Sequence, residues 1–308
     1  MLMTQKLAQK KKIYFGDMAN SWLLYKKLTV KMSTYYNYKY IVDNYLNKKF
    51  KDYRLEEFLD FNINPTILEL SEKLSPKTIK GIVSTLVSIL NYAEEKYKVR
   101  FHLEPVAMPK PKIYELQVLT PREQVKLEQF CLNSYEQKYI GIVIALYTGM
   151  RIGELCALTW GNIDLKNKRI QVTKTLQRIY LQKSKTQILI DSPKSSKSIR
   201  KIPMNDKVFE ILKNLKNKNE DTDFLLTGDK RYIEPRRYQY SFSKVLKELG
   251  LKDYNFHILR HTFATNCIKV GMDPKSLSEI LGHSTVNITL NKYVHSSDKI
   301  KKKFLQKL

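Results

Sequence analysis

Three prolines, Pro105, Pro109 and Pro111, fall between Phe101 and Leu119, with Lys110 and Lys112 beside them. Proline lacks the amide hydrogen that a helix interior requires, so this stretch cannot be helical throughout. It forms a stiff, basic connector. It also cuts the 308-residue chain into two parts, each long enough to bury its own core. The expected organisation is a basic tail over 1–14, a helical unit over 15–104, the connector over 105–118 and a second unit over 119–308.

The first unit carries apolar stripes at helical spacing. One is Trp22, Leu23, Leu24, Tyr25 and Leu28; another is Ile41, Tyr45 and Leu46. Ser75-Pro76 starts a third helix, along which Ile79, Ile82, Val83, Leu86, Leu90 and Tyr92 or Ala93 recur. A bundle of four or five helices follows, with Lys and Tyr interleaved on its outer faces. The second unit opens on Thr120-Pro121-Arg122-Glu123, a capping box. Between Lys168 and Met204 the pattern alternates as strands do, through Ile170, Val172, Ile188, Ile190, Ile199 and Ile202. The run Ser192 to Ser198 is expected to turn between the last two strands. The fold class is therefore mainly α, with a small antiparallel β-sheet in the C-terminal domain.

Lys and Arg number 55 against 30 Asp and Glu, a formal net charge of +25. Such an excess points to a polyanionic partner: nucleic acid first, because neutralising phosphates releases counterions, with an anionic membrane surface as the rival. No run approaches ~18 apolar residues and no signal peptide is evident. Cys131, Cys156 and Cys267 are scattered and odd in number, as suits reduced thiols in a cytoplasmic protein.

The segment His257-Ile258-Leu259-Arg260-His261-Thr262-Phe263 continues to Gly271 as a helix. Leu259, Phe263, Asn266 or Cys267, and Val270 are its expected buried stripe, with His257 and Arg260 neighbours at i, i+3. His257 and His261 have the spacing of two zinc ligands, yet Ile258 stands where a zincin has glutamate and Arg260 adds a fixed positive charge. Asp273-Pro274 caps the next helix, Gly282 ends it and His283 follows; Tyr293 comes ten residues later, after Val286, Ile288 and Leu290. Upstream, Tyr147 to Leu155 joins two helical patterns through Gly149 and places Arg151 and Glu154 at i, i+3.

Taken singly, each of these residues has an ordinary structural explanation. Together they suit one reaction, because a phosphodiester attacked by a hydroxyl gains charge on its non-bridging oxygens. Two guanidiniums can hold that charge without a metal. A tyrosine ester preserves the energy of the broken bond for a later reversal, and a lysine can protonate the departing hydroxyl. No paired carboxylates stand out as Mg²⁺ ligands.

The chain resembles the tyrosine recombinases, the phage integrase family, from about Phe15 to the C-terminus. The resemblance lies in TGMRIGEL, SPKSSKSIRKIPM, HILRHTFAT, LGHS and TLNKYVH, in the family's order and approximate spacing. It implies a helical core-binding, SAM-like domain and a catalytic domain that clamp DNA. Arg151, Arg260 and His283 would hold the scissile phosphate, with His257 assisting proton movement, Glu154 supporting the site, Lys194 as general acid and Tyr293 as nucleophile. Lys197, Lys185 and Lys174 are alternatives to Lys194, which the following SxR-x-IP pattern favours. The resemblance further implies a 3′-phosphotyrosine intermediate and no metal or nucleotide cofactor. Its partners would be double-stranded DNA with specific core sites and a homotetramer on that DNA, the free protein being a monomer or weak oligomer. The source would be a phage or other mobile element, and the protein nucleoid-associated. Fewer than about twenty residues precede the first helical pattern, too few for the arm-binding sheet domain of many integrases, so the expectation is either an enzyme that works without arm sites or a trimmed chain. Ile300, Phe304, Leu305 and Leu308 form an apolar stripe that would pack on its own chain or on a neighbouring protomer. A topoisomerase-like nicking and closing enzyme, or a non-catalytic DNA-binding regulator, are the other readings.

Overall fold

The computed structural model describes residues 12–110, 116–182, 185–191, 199–216, 219–294 and 306. The chain divides into two compact units, Met1–Tyr114 with Ile179–Gln187, and Glu115–Arg178 with Ile188–Leu308. The division is thus not a single cut in sequence. Within the first unit Tyr180 meets the ring of Tyr40 edge-on at 5.1 Å and the carboxylate of Asp43 at 3.4 Å.

The first unit is built on α1 (Phe15–Thr29), α2 (Met32–Ile41), α3 (Asn47–Phe50), α4 (Asn64–Ser71) and α5 (Pro76–Tyr97). A π-helical turn over Val42–Leu46 and a 3-10 turn over Leu55–Phe58 interrupt the series. On α1 the buried residues are Phe15, Met18, Ala19, Trp22 and Leu23, a stripe at i, i+3, i+4, i+7 and i+8. Leu24, Tyr25 and Leu28 lie off that stripe and are exposed, contrary to the sequence expectation. On α5 the expected stripe is buried from Ile79 to Ala93, and Ser75 caps it by accepting from the amide of Thr78. Two short parallel strands, β1 (Asp60–Phe61) and β2 (His102–Leu103), were not foreseen. Two residues are too few to show an alternating pattern.

The second unit contains α6 (Pro121–Leu132), α7 (Gln137–Thr148), α8 (Ile152–Cys156), β3 (Ile163–Asp164), β4 (Arg169–Val172), β5 (Thr175–Gln182) and β6 (Lys185–Asp191). There follow β7 (Arg200–Pro203), α9 (Asp206–Leu215), α10 (Pro235–Glu248), α11 (His257–Lys269), α12 (Pro274–Leu281) and α13 (Val286–Tyr293). The capping box at Thr120 forms in both directions. Strand order is β3-β4-β7 in one antiparallel sheet, and β5 pairs with β6 separately. Ser192 to Ser198, the expected turn, lies outside the described residues; among the described residues the strands on either side of it pair with different partners, β6 with β5 and β7 with β4. Ile199 is exposed while Arg200 and Ile202 are buried. Residues three apart on a strand face opposite sides, and this excludes Ile199 from the face that Ile202 occupies.

The core of this unit runs from Leu127 through α7 (Ile142, Ile144, Ala145) to Trp160, Phe242 and Leu259. A smaller cluster of Ala264, Cys267, Leu277, Leu281 and Tyr293 joins α11, α12 and α13. Among the described residues no helix is long and apolar enough to cross a membrane.

Candidate active site

Helix α7 ends at Gly149, whose φ of +63° a residue with a side chain adopts only under strain. A Cβ there would also come within 2.6 Å of the Phe263 ring and 2.7 Å of Leu281. The turn delivers Arg151 in extended conformation as the N-cap of α8. Its amide donates to Glu154 Oε2 at 3.0 Å and its Nη1 to Glu154 Oε1 at 2.7 Å. The same guanidinium donates to the carbonyls of Leu281 at 3.4 Å and Gly282 at 3.2 Å.

Arg260 enters from α11 and is only 1% exposed. Its Nη1 donates to Gly149 O and its Nη2 to Leu281 O, both at 2.8 Å. Arg151 and Arg260 therefore share the Leu281 carbonyl as an anchor. Burial first, and then the charge of Arg151, pull the Arg260 guanidinium down to about 9, which leaves it charged at neutral pH. Arg200, on β7, donates to both oxygens of Glu154, at 3.1 and 2.8 Å, and to Ile280 O. Burial alone would raise Glu154. The hydrogen bond and charge of Arg200, with those of Arg151, overcome it and bring the carboxyl to about 2.

Gly282, at φ +64°, ends α12 and turns the chain to His283. The Nδ1 of His283 lies 2.7 Å from the hydroxyl of Thr289, which is fully buried. The His283 ring stacks parallel to that of Tyr293, 6.3 Å between centroids and 3° between planes. Tyr293, the last residue of α13, is 5% exposed, and its hydroxyl lies 2.9 Å from Nδ1 of His261. Burial raises the Tyr293 phenol above its ordinary value, while the charge and hydrogen bond of Arg260, and the charge of Arg151, act against it. The rings of His257 and His261 meet edge to face at 4.6 Å. Burial, chiefly, and neighbouring positive charges hold His261 at about 4 and His283 at about 3, so both are neutral at ordinary pH. His257, whose ring reaches the surface, is lowered in the same way, by burial and then by His261 and Arg260.

Of the residues singled out from sequence, Arg151, Glu154, Arg260, His283 and Tyr293 are drawn together by shared partners, and His257 adjoins them through His261. Lys194 and Lys197 lie outside the described residues; Lys174 and Lys185 are exposed. The sequence reading missed Arg200 as a site residue, although it stands in the SxR-x-IP pattern, and it weighed His261 only as a metal ligand. It also placed Val270 in the buried stripe of α11, where it is 82% exposed. Ile258, Arg260, Thr262 and Ala264 are buried instead, so this helix is enclosed on more than one side. Among the described residues no group of three or more His, Cys, Asp or Glu is placed to hold a metal ion.

Three guanidiniums against one carboxylate, around a buried phenol and neutral imidazoles, define a site for an anionic group that a hydroxyl can reach. A model described as the phage integrase family matches residues 117–299, and one described as the phage integrase N-terminal SAM-like domain matches residues 14–59. The chain belongs to the phage integrase family and is a tyrosine recombinase. It is 26% identical over 314 residues to a tyrosine recombinase XerC-like protein of Caldanaerobacter subterraneus subsp. tengcongensis, across 92% of this chain and 79% of that one. It is 31% identical over 199 residues to the transposase from transposon Tn916 of Enterococcus faecalis, across 58% of this chain and 48% of that one, about half that protein's length. A structure of the Tn1549 transposon integrase, residues 82–397, in complex with circular intermediate DNA superposes with a TM-score of 0.77 at 25% identity, covering 96% of this chain and 99% of that one.

Proposed function

We propose that this chain is a site-specific recombinase that cleaves and rejoins double-stranded DNA through a 3′-phosphotyrosine on Tyr293, with no metal or nucleotide cofactor. The observation that carries the reading is the convergence of Arg151 and Arg260 on one backbone carbonyl, in contact with the elements that present His283 and Tyr293. Tyr293 Oη attacks phosphorus and the bond to the 5′ oxygen breaks. Charge that gathers on the non-bridging oxygens is met by guanidiniums already fixed in place. His283 borders the phosphate as a neutral imidazole, His257 assists proton movement, Glu154 holds Arg151, and Lys194 protonates the leaving oxygen. Attack by a 5′ hydroxyl on the phosphotyrosine reverses each step and rejoins the strand. The net charge of +25 supports a DNA partner, and the Tn1549 integrase, solved on DNA, offers the analogy. Assembly as a homotetramer on specific core sites, from a free monomer or weak oligomer, completes the proposal.

The test is a nicked suicide duplex, selected by the protein's own binding from a random-sequence pool and incubated with it in EDTA. A covalent protein–DNA adduct is expected, and none with Tyr293→Phe. An adduct that survives that substitution, or one that forms only with Mg²⁺, overturns the reading. DNA binding without any adduct makes the chain a regulator, and site-independent relaxation of supercoiled plasmid makes it a topoisomerase.

A further inference from the structure

The proposed chemistry needs an acceptor for the hydroxyl proton of Tyr293, and two imidazoles of α11 stand near. They are not equivalent. His261 Nδ1 is 2.9 Å from Tyr293 Oη, whereas His257 meets His261, ring to ring, rather than the phenol. Arg260, a fixed positive charge, lies near both groups and disfavours a proton on the imidazole. The neutral imidazole leaves one ring nitrogen able to accept, and the phenol is placed to donate its single hydrogen to it. On that ground the imidazole is assigned as the Nε2–H tautomer, with Nδ1 free to accept.

We propose that His261 is the group that takes the proton of Tyr293, a role that rests on the recombinase reading above. As the bond from Oη to phosphorus forms and the bond from phosphorus to the 5′ oxygen breaks, the phenol proton passes to His261 Nδ1. The departing oxygen takes its own proton from the general acid. In rejoining, His261 returns the proton to Tyr293 as the ester opens. The charged and titratable neighbours of the ring are Lys292 and Tyr293 from α13, and Arg260 and His257 from its own helix. Burial first, and then the positive charges of Lys292 and Arg260, keep the imidazole unprotonated before substrate binds. A phosphate anion seated between the arginines offsets those charges and makes proton uptake easier at the moment of attack.

The decisive variant is His261→Asn, whose side-chain oxygen can still accept the phenol hydrogen bond but cannot take the proton. On the selected suicide duplex, single-turnover adduct formation is expected to fall about 100-fold with DNA affinity unchanged, the lower edge of what a general base contributes. The residual rate should climb with pH, because the phenol must then ionise unaided. Adduct formation at the wild-type rate and with the wild-type pH profile overturns the proposal. So does a pH-dependent loss seen in His257→Asn and not in His261→Asn. Should His261→Asn fail to fold, ¹⁵N-histidine spectra of the intact protein decide: an unprotonated Nδ1 whose resonance moves in Tyr293→Phe is expected, and a protonated Nδ1 refutes it. A wild-type protein that forms no Tyr293 adduct overturns both readings, whereas an adduct unaffected by His261→Asn overturns this one alone.

Discussion

Replacing Glu154 by glutamine keeps the shape of the side chain and removes its charge. The carboxylate is 3% exposed and accepts from Arg200 at 2.8 and 3.1 Å, from the Arg151 guanidinium at 2.7 Å and from the Arg151 amide at 3.0 Å. Against its desolvation, these partners hold it at about 2 where an ordinary glutamate stands at 4.5. At about 1.36 kcal/mol per pH unit this difference is worth roughly 3 kcal/mol. That falls at the lower end of the ~3–5 kcal/mol measured when one partner of a buried ion pair is removed. An amide in its place turns an NH₂ toward guanidiniums that can only donate, and it leaves Arg200 buried without its counter-charge.

For a unit of this size each kcal/mol moves the melting temperature by ~2–4 °C, so Glu154→Gln should melt roughly 6–12 °C lower at neutral pH. The pH dependence follows from the direction of the shift. A carboxyl depressed in the folded state contributes fully above the unfolded value of 4.5, and its contribution is lost as pH falls toward about 2. Calorimetry of both proteins at neutral and acid pH should therefore show a gap that narrows with acid. A neutral-pH loss below about 1 kcal/mol, or a gap that stays constant through that window, would refute the assignment of Glu154 as a charged bracket between two arginines.

If Lys194 protonates the leaving oxygen, Lys194→Ala should lose adduct formation on ordinary DNA and regain it on a duplex with sulfur at the 5′ bridging position, because a thiolate leaves without a proton. Continued failure on the sulfur substrate would pass the role to Lys197, Lys185 or Lys174. A second acid effect comes from His261 and His283, held at about 4 and about 3 against an ordinary 6.5. The unfolded chain takes up protons below about 6.5 that the folded site refuses, so the urea midpoint should fall as pH drops from about 6.5. A midpoint that is flat down to about 4.5 would contradict it.

The sequence disclosed most where the physics is local. Caps at Ser75, Thr120 and Asp273 and the stop at Gly282 depend on residues within a turn, and each forms as read. Arg151, Arg260, His283 and Tyr293 were legible because they stand in segments of distinctive chemistry with regular spacing. Arg200 was not: one arginine among 55 basic residues looks solvated until β4 and α12 enclose it. His261 was hidden for a related reason. Its partner lies 32 positions away on another helix, and no periodicity links the two. Errors of face on α1 and β7 came from grouping apolar residues by proximity, when register along the element decides burial.

The same packing explains how the site can hold three guanidiniums before any phosphate arrives. Arg200, Arg151 and Arg260 come from three separate places in the chain, and all donate to the last carbonyls of α12, those of Ile280, Leu281 and Gly282. A helix C-terminus has carbonyls without amide partners and carries partial negative charge, so it is a natural mooring for cations. Arg260 spends two of its five N–H groups on Gly149 and Leu281, which fixes the plane of its fork without exhausting its donors. Lysine has neither the plane nor the separated donors and could not span both carbonyls. The carbonyls that anchor these arginines immediately precede His283, so the position of this imidazole and the orientation of the guanidiniums are set by one turn of backbone. The ordering cost of the anion site is thereby met when the second unit folds, and binding need only supply the anion.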